Sequence, residues 1–306
     1  MALRFTTAGE SHGPGLIALL EGLPAGLRLA PEDIDRDLAR RQLGHGRGGR
    51  MKIEKDRAQV MAGIRHGRTL GSPVALRIDN LDYANWEERM NPWPVTAEIA
   101  EVHLPRPGHA DLAGVQKYGF TDVRNVLERA SARETAARVA CGALAKAFLR
   151  EFGVEVRSHV TQIGSVVAPE YEGLTPESFE EVDESPVRCL DADASAAMVE
   201  EINVARKANE SLGGIYEVVA YGLVPGLGSH IYWEERLDGR LAQAVMSIQA
   251  MKGVGIGEGF ELAGKRGSEA HDEIFWDEQR GFYRETNRAG GLEGGMTTGD
   301  PLVVRA

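Results

Sequence analysis

The placement of glycine limits this chain more than any other feature. Of its 306 residues, 37 are glycine and 13 are proline, and they gather where the chain also carries histidine or arginine. Glycine weakens helix and strand interiors but lets a backbone turn tightly or come close to a ligand. Clusters of this kind are read as loops shaped around something. The segments between them supply the core, since 42% of the chain is hydrophobic and its length allows substantial burial.

Those segments alternate between strand and helix patterns. Ile17 to Glu21, Val74 to Ile78, Val154 to Val160 and Ile215 to Ala220 read as strands. Pro31, followed by Glu32 and Asp33 and an Ile34/Leu38 pair, predicts a helix to about Arg41. Ser131-Ala132-Arg133-Glu134 reads as a capping box opening an alanine-rich helix to Phe152, with Gly153 as its stop. Further helices are expected over Thr175 to Val182, Ser195 to Lys207 and Asp238 to Met251, and a strand over Pro301 to Arg305. The acidic stretch from Glu170 to Asp193 is expected to be a solvated excursion. The fold class is α/β (α+β), as one domain over 1–306 with long functional loops.

Charge narrows the function. With 35 Lys plus Arg against 46 Asp plus Glu, the net charge is −11, which argues against a nucleic-acid or membrane-surface partner. Cys141 and Cys189 form no C-x-x-C pair, the first residues lack the apolar run of a signal peptide, and no stretch approaches a membrane span. A cytoplasmic location is expected. The histidines fit no metal-ligand spacing, so no metal is expected.

Three glycine clusters compete for the chemistry. Gly9-Glu10-Ser11-His12-Gly13 matches the G-x-S-x-G nucleophile elbow of serine hydrolases, but Pro14-Gly15 follows where a helix should begin. His12 is the stronger signal, because an imidazole between glycine turns has no apolar periodicity to make it core. Gly44 to Gly49 matches G-x-G-x-x-G, yet a predicted helix precedes it where a dinucleotide fingerprint needs a strand. With Arg36, Arg40, Arg41, Arg47, Arg50 and Lys52 around it, it reads as a flexible basic loop for phosphate or carboxylate. Arg106-Pro107-Gly108-His109-Ala110-Asp111 places a second histidine in a rigid turn, two residues from a carboxylate. Arg129 and Arg133 flank Ser131 at a helix start, where unpaired N–H groups favour an anion.

Taken with Q-A-M-K-G-V-G-I-G at 249–257 and A-G-G-L-E-G-G-M-T-T-G at 289–299, these motifs resemble, in order and over nearly the whole chain, the chorismate synthase family. The resemblance implies a β-α-β sandwich core, usually assembled as a homotetramer. It also implies an FMN-dependent 1,4-elimination of phosphate from 5-enolpyruvylshikimate 3-phosphate, giving chorismate in the shikimate pathway of aromatic amino-acid biosynthesis. By position, His12 matches the histidine assigned to protonating reduced FMN, and His109 the one assisting the phosphate leaving group. Arg129, Ala130, Ser131, Gln249, Ala250 and Gly294 match flavin-contacting positions, and Arg41 and Arg47 match basic residues associated with NADPH and lying near substrate. Family members continue past the segment resembling Pro301 to Ala306 into a Lys-Pro-x-Ser loop and an Arg-x-Asp motif. The sequence is therefore expected to be C-terminally incomplete. The alternatives are a truncated, non-catalytic flavin or phosphate-ligand binding protein and a serine hydrolase.

Overall fold

The computed structural model describes residues 3–48 and 53–306. Its backbone packs as two compact units, residues 1–43 with 47–148 and residues 44–46 with 149–306. Gly49, Arg50 and Lys52 of the expected basic loop lie outside the described residues.

In the first unit the strands β1 (Arg4–Ala8), β2 (Gly15–Glu21), β3 (Ala25–Arg28), β4 (Ala58–Ala62), β5 (Ile64–Arg65), β6 (Arg68–Leu70) and β7 (Val74–Asp79) form two antiparallel sheets, ordered β1-β2-β7-β4 and β3-β6-β5. Alternation sets the layer. Leu16, Ala18 and Leu20 of β2 and Val74, Leu76 and Ile78 of β7 share one buried face. Two helices are packed in the same core: α1 (Pro31–Gln42) contributes Ile34 and Leu38, and α4 (Thr135–Arg150) contributes Ala136, Ala140, Cys141 and Leu144. Between these come α2 (Asp111–Tyr118) and α3 (Arg124–Ala130).

Local chemistry sets the helix ends. Pro31 occupies the first turn of α1, and the Ala30 N–H donates to the Asp33 carboxylate at 2.8 Å. The expected capping box at Ser131 is only half present. The Ser131 hydroxyl accepts from the Arg133 N–H at 3.2 Å, but Glu134 turns away to accept from Thr7 Oγ1 and Arg138. A 3₁₀ turn over Ala132–Glu134 therefore precedes α4. The helix closes at Arg150, and Gly153 follows with φ +72°.

The second unit is built on the antiparallel sheet β11-β16-β10-β8-β9, made of β8 (Glu155–Ile163), β9 (Val166–Val167), β10 (Gly214–Tyr221), β11 (Gly255–Ile256) and β16 (Leu302–Arg305), with short hairpins β12 (Ile274–Asp277)/β13 (Gly281–Arg284) and β14 (Leu292–Glu293)/β15 (Met296–Thr297). Helix α5 (Ala192–Lys207) packs Met198 against Val160 and Ile163. Helix α6 (Leu237–Met246) packs Leu241 and Val245 with Leu302 and Val304.

Two helix expectations need correction. Thr175 to Val182 forms two 3₁₀ turns, Pro176–Phe179 and Val182–Glu184, because Phe179 and Val182 must both reach Val219 and Val303 on the sheet. The acidic stretch is thus not wholly solvated: its carboxylates face outward while Phe179, Val182, Val187 and Cys189 are buried. Helix α6 stops at Met246 instead of Met251, and the backbone turns so far that Ala250 takes φ +67°. Among the described residues no helix is long and apolar enough to cross a membrane.

Candidate active site

Strand β1 ends at Ala8, the chain turns through Gly9 to Pro14, and β2 begins at Gly15. Gly9 holds φ +104°, and a Cβ there would meet the Gly15 carbonyl oxygen at 2.4 Å. A nucleophile elbow needs strand, turn and helix; this is strand, turn and strand, so the hydrolase reading of Ser11 fails on context. The loop is tied from several sides. Asn80, buried after β7, donates through Nδ2 to the carbonyls of Gly13 at 2.7 Å and Glu10 at 3.1 Å. The Ser11 N–H donates to the Glu128 carbonyl at 3.0 Å, and Ser131 Oγ lies 3.2 Å from Ser11 Oγ.

This anchoring presents His12 next to α3. Its Nδ1 is 2.9 Å from Glu128 Oε2, its backbone N–H donates to the same oxygen at 2.9 Å, and its ring stacks on Trp86 with centroids 3.9 Å apart. Burial alone would raise the Glu128 carboxyl, but the hydrogen bonds and charge of His12, with the charge of Arg124, outweigh it and hold the group below the usual carboxylate range.

His109 has a parallel setting. Its Nδ1 lies 2.5 Å from Oδ1 of Asp111, a wholly buried carboxylate that also accepts from the Arg106 N–H at 3.0 Å and from Arg106 Nε at 2.9 Å. Burial pushes this carboxyl up; the bonds from Arg106 and His109 prevail and lower it to about 2. Asp111 opens α2 and Glu128 sits on α3, and these helices touch so closely that a Cβ on Gly114 would meet Val126 at 2.4 Å. The two imidazole-binding carboxylates therefore ride on a packed helix pair.

The arginines divide into two kinds. Arg133 is buried: it donates from Nη1 to Asp56 at 2.7 Å and from Nε to Asn80 at 2.9 Å, so it holds the fold together and does not face a ligand as its place at the helix start suggested. Arg41 donates to Thr135 Oγ1 at 3.0 Å and the Ala132 carbonyl at 3.1 Å, which brings it to the start of α4 beside Ser131. Arg129 is exposed and donates to the carbonyls of Thr7 and Gly9; no carboxylate pairs with it among the described residues. Arg47 is exposed in the loop after α1.

Within the second unit, His45 is less free than a flexible loop would make it: its N–H donates to the Pro186 carbonyl at 2.7 Å and its Nε2 lies 2.8 Å from Asn203 Oδ1. Gln249 and Ala250 follow the C-terminal end of α6. Exposed Gly294 lies in the β14–β15 turn with open space where a Cβ would stand, and the neighbouring Gly295 carbonyl accepts from the Leu237 N–H at 2.9 Å, at the other end of α6. A ten-residue helix spans about 15 Å. Gln249 and Ala250 thus stand at one end of α6 and the Gly294–Gly295 turn at the other.

A profile of the family described as chorismate synthase matches residues 3–306. The chain belongs to the chorismate synthase family. It is 59% identical over 310 residues to the chorismate synthase of Symbiobacterium thermophilum and 54% identical over 309 residues to that of Bacillus subtilis strain 168, in both cases over 99% of this chain and 79% of the relative. A solved structure titled as the crystal structure of chorismate synthase superposes with a TM-score of 0.83 at 46% identity, over 100% of this chain and 83% of the other. The mixed α/β fold expected from the sequence is the family's fold.

Sequence reasoning missed Glu128, Trp86 and Asn80. Only Glu128 left a signal: a carboxylate in the last turn of a helix meets the negative end of the dipole and needs a specific partner. Asn80 and Trp86 act through tertiary contacts that no spacing announces.

Proposed function

We propose that His12 and His109 are the proton-handling residues of this enzyme, and that Arg129, Ala130, Ser131, Gln249, Ala250 and Gly294 hold its flavin. The activity is that of a carbon–oxygen lyase, the FMN-dependent conversion of 5-enolpyruvylshikimate 3-phosphate to chorismate and phosphate. The residues suit a phosphate-bearing flavin. Arg129 has no carboxylate partner among the described residues, Ser131 caps a helix start, and Ala250 and Gly294 leave backbone open to approach. Reduced FMN, when bound, supplies transient electron density as the phosphate leaves.

The chain's own groups then do the following. His12, with Nδ1 turned to Glu128, has Nε2 as the atom that gives or takes a proton. His109 hydrogen-bonds through Nδ1 to an Asp111 carboxylate that stays ionised at any physiological pH, with Arg106 Nη2 3.3 Å from its Nε2, an arrangement that puts a proton-carrying ring and a guanidinium beside a departing phosphate. Arg41 and Arg47 are assigned to substrate and, more finely, to NADPH as flavin reductant. One family profile spanning both compact units supports a single functional domain, and the homotetramer is part of the same proposal, to be tested by sedimentation velocity.

The pairing of each loop histidine with a buried carboxylate carries this reading. His12→Ala and His109→Ala should each lower turnover by about 10² to 10⁴ with unchanged circular dichroism. Wild-type rates in both would overturn the assignment.

A further inference from the structure

Glu128 occupies a place that disfavours it. It sits two residues before the end of α3, where helix carbonyls make the surroundings negative, and only 3% of its surface is exposed. Arg124, one turn earlier, donates to Oε1 at 2.9 Å and offsets part of this cost. The remaining contacts go to one residue, His12, through both its ring and its main chain. The other side of the ring arrangement is equally specified. Trp86 stacks at an interplanar angle of 29°, its indole N–H donates to Asp82 at 2.9 Å, and the guanidinium groups of Arg89 and Arg124 lie 5.4 and 5.2 Å from its ring. A histidine serving only to fill a loop needs neither device.

We propose that Glu128 is a positioning residue that fixes His12 as the Nδ1–H tautomer with Nε2 presented for proton transfer, and that Trp86 sets the plane of the ring. This rests on the reading of His12 given above. A neutral imidazole has one N–H, and the nitrogen held by an acceptor keeps it. A carboxylate accepts only, so Glu128 selects one tautomer, whereas a glutamine amide can accept or donate and selects neither. The charged groups around the pair are Arg124, Arg89 and Asp82, with Glu10 on the loop itself.

The test is ¹⁵N NMR of the imidazole nitrogens in the wild-type chain and in Glu128→Gln, at a pH where His12 is neutral, alongside steady-state kinetics. The wild type should show a protonated Nδ1 and an unprotonated Nε2. Glu128→Gln should show a mixture, with kcat lowered by about 10- to 100-fold and KM changed less than threefold. Glu128→Asp, which keeps the acceptor but withdraws it by one methylene, should fall between the two and serves if the glutamine variant does not fold. A wild-type tautomer in Glu128→Gln, or a mixed tautomer with wild-type kcat, overturns the proposal. His12→Ala at the wild-type rate would instead overturn the catalytic reading of His12 and leave the tautomer result standing on its own.

Discussion

Asp111 accepts a 2.5 Å hydrogen bond from Nδ1 of His109 while being closed to solvent, and it takes three more from Arg106. The turn that carries His109 is thus organised around one anion. A carboxyl held at about 2 in the folded state, against 3.8 ordinarily, stabilises the fold fully above pH 3.8. That contribution is lost as pH falls through the interval from 3.8 to about 2.

Asp111→Asn should therefore be less stable than wild type at neutral pH, and the difference should shrink as pH falls towards about 2. Urea unfolding at a series of pH values measures it. A constant difference across that range would show that Asp111 acts through packing alone. Turnover should fall as well, because the amide no longer offers His109 a permanent anion.

The motifs of the His12 loop were legible in the sequence; the groups that hold it were not. Gly9, Ser11 and His12 announce a turn with an exposed imidazole, but Asn80 and Glu128 reach it from positions 67 and 116 residues away. Strands and helices with a clean buried face, such as β2, β7, α1 and α5, were readable because one periodicity fixes one face. Thr175 to Val182 was not. Its apolar residues are spaced as in a helix, yet two 3₁₀ turns bring them to the same sheet. Arg133 and Arg129 look alike in sequence and differ wholly in burial.

That difference predicts opposite phenotypes. Arg133→Met leaves the buried carboxylates of Asp56 and Glu54 short of a cation and should cost about 3 to 5 kcal/mol of stability. Arg129→Met removes an exposed group and should change stability by less than about 0.5 kcal/mol. Its effect should lie in FMN affinity, weakened about 10- to 100-fold by loss of a charge-assisted contact. Fluorescence titration with FMN and chemical denaturation of both variants decide the matter. If Arg129→Met binds FMN as the wild type does, Arg129 is not a flavin contact.

Gly9→Ala adds a Cβ 2.4 Å from the Gly15 carbonyl oxygen at a φ of +104° that L residues avoid. The strain should cost about 1 to 3 kcal/mol, read as a lower urea midpoint, and the displaced loop should carry His12 off Glu128. Unchanged stability together with unchanged activity would mean that the loop relaxes without disturbing the site.

The two thiols should be silent in the native protein. Burial pushes the Cys141 thiol, packed in the α4 core with Leu144 and Leu38, up to about 11, with the Glu134 charge adding to the effect, and burial raises Cys189 also. Only a thiolate reacts, and only an exposed one is reached. A disulfide reagent should therefore label neither cysteine at neutral pH until the protein opens, and both in denaturant. Cys189 should label first, because it lies in the stretch of 3₁₀ turns and irregular backbone before α5, whereas exposing Cys141 requires α4 to leave the sheet. Stoichiometric labelling of Cys141 in the native state, at a rate independent of denaturant, would mean that the α4 core opens far more readily than its packing implies.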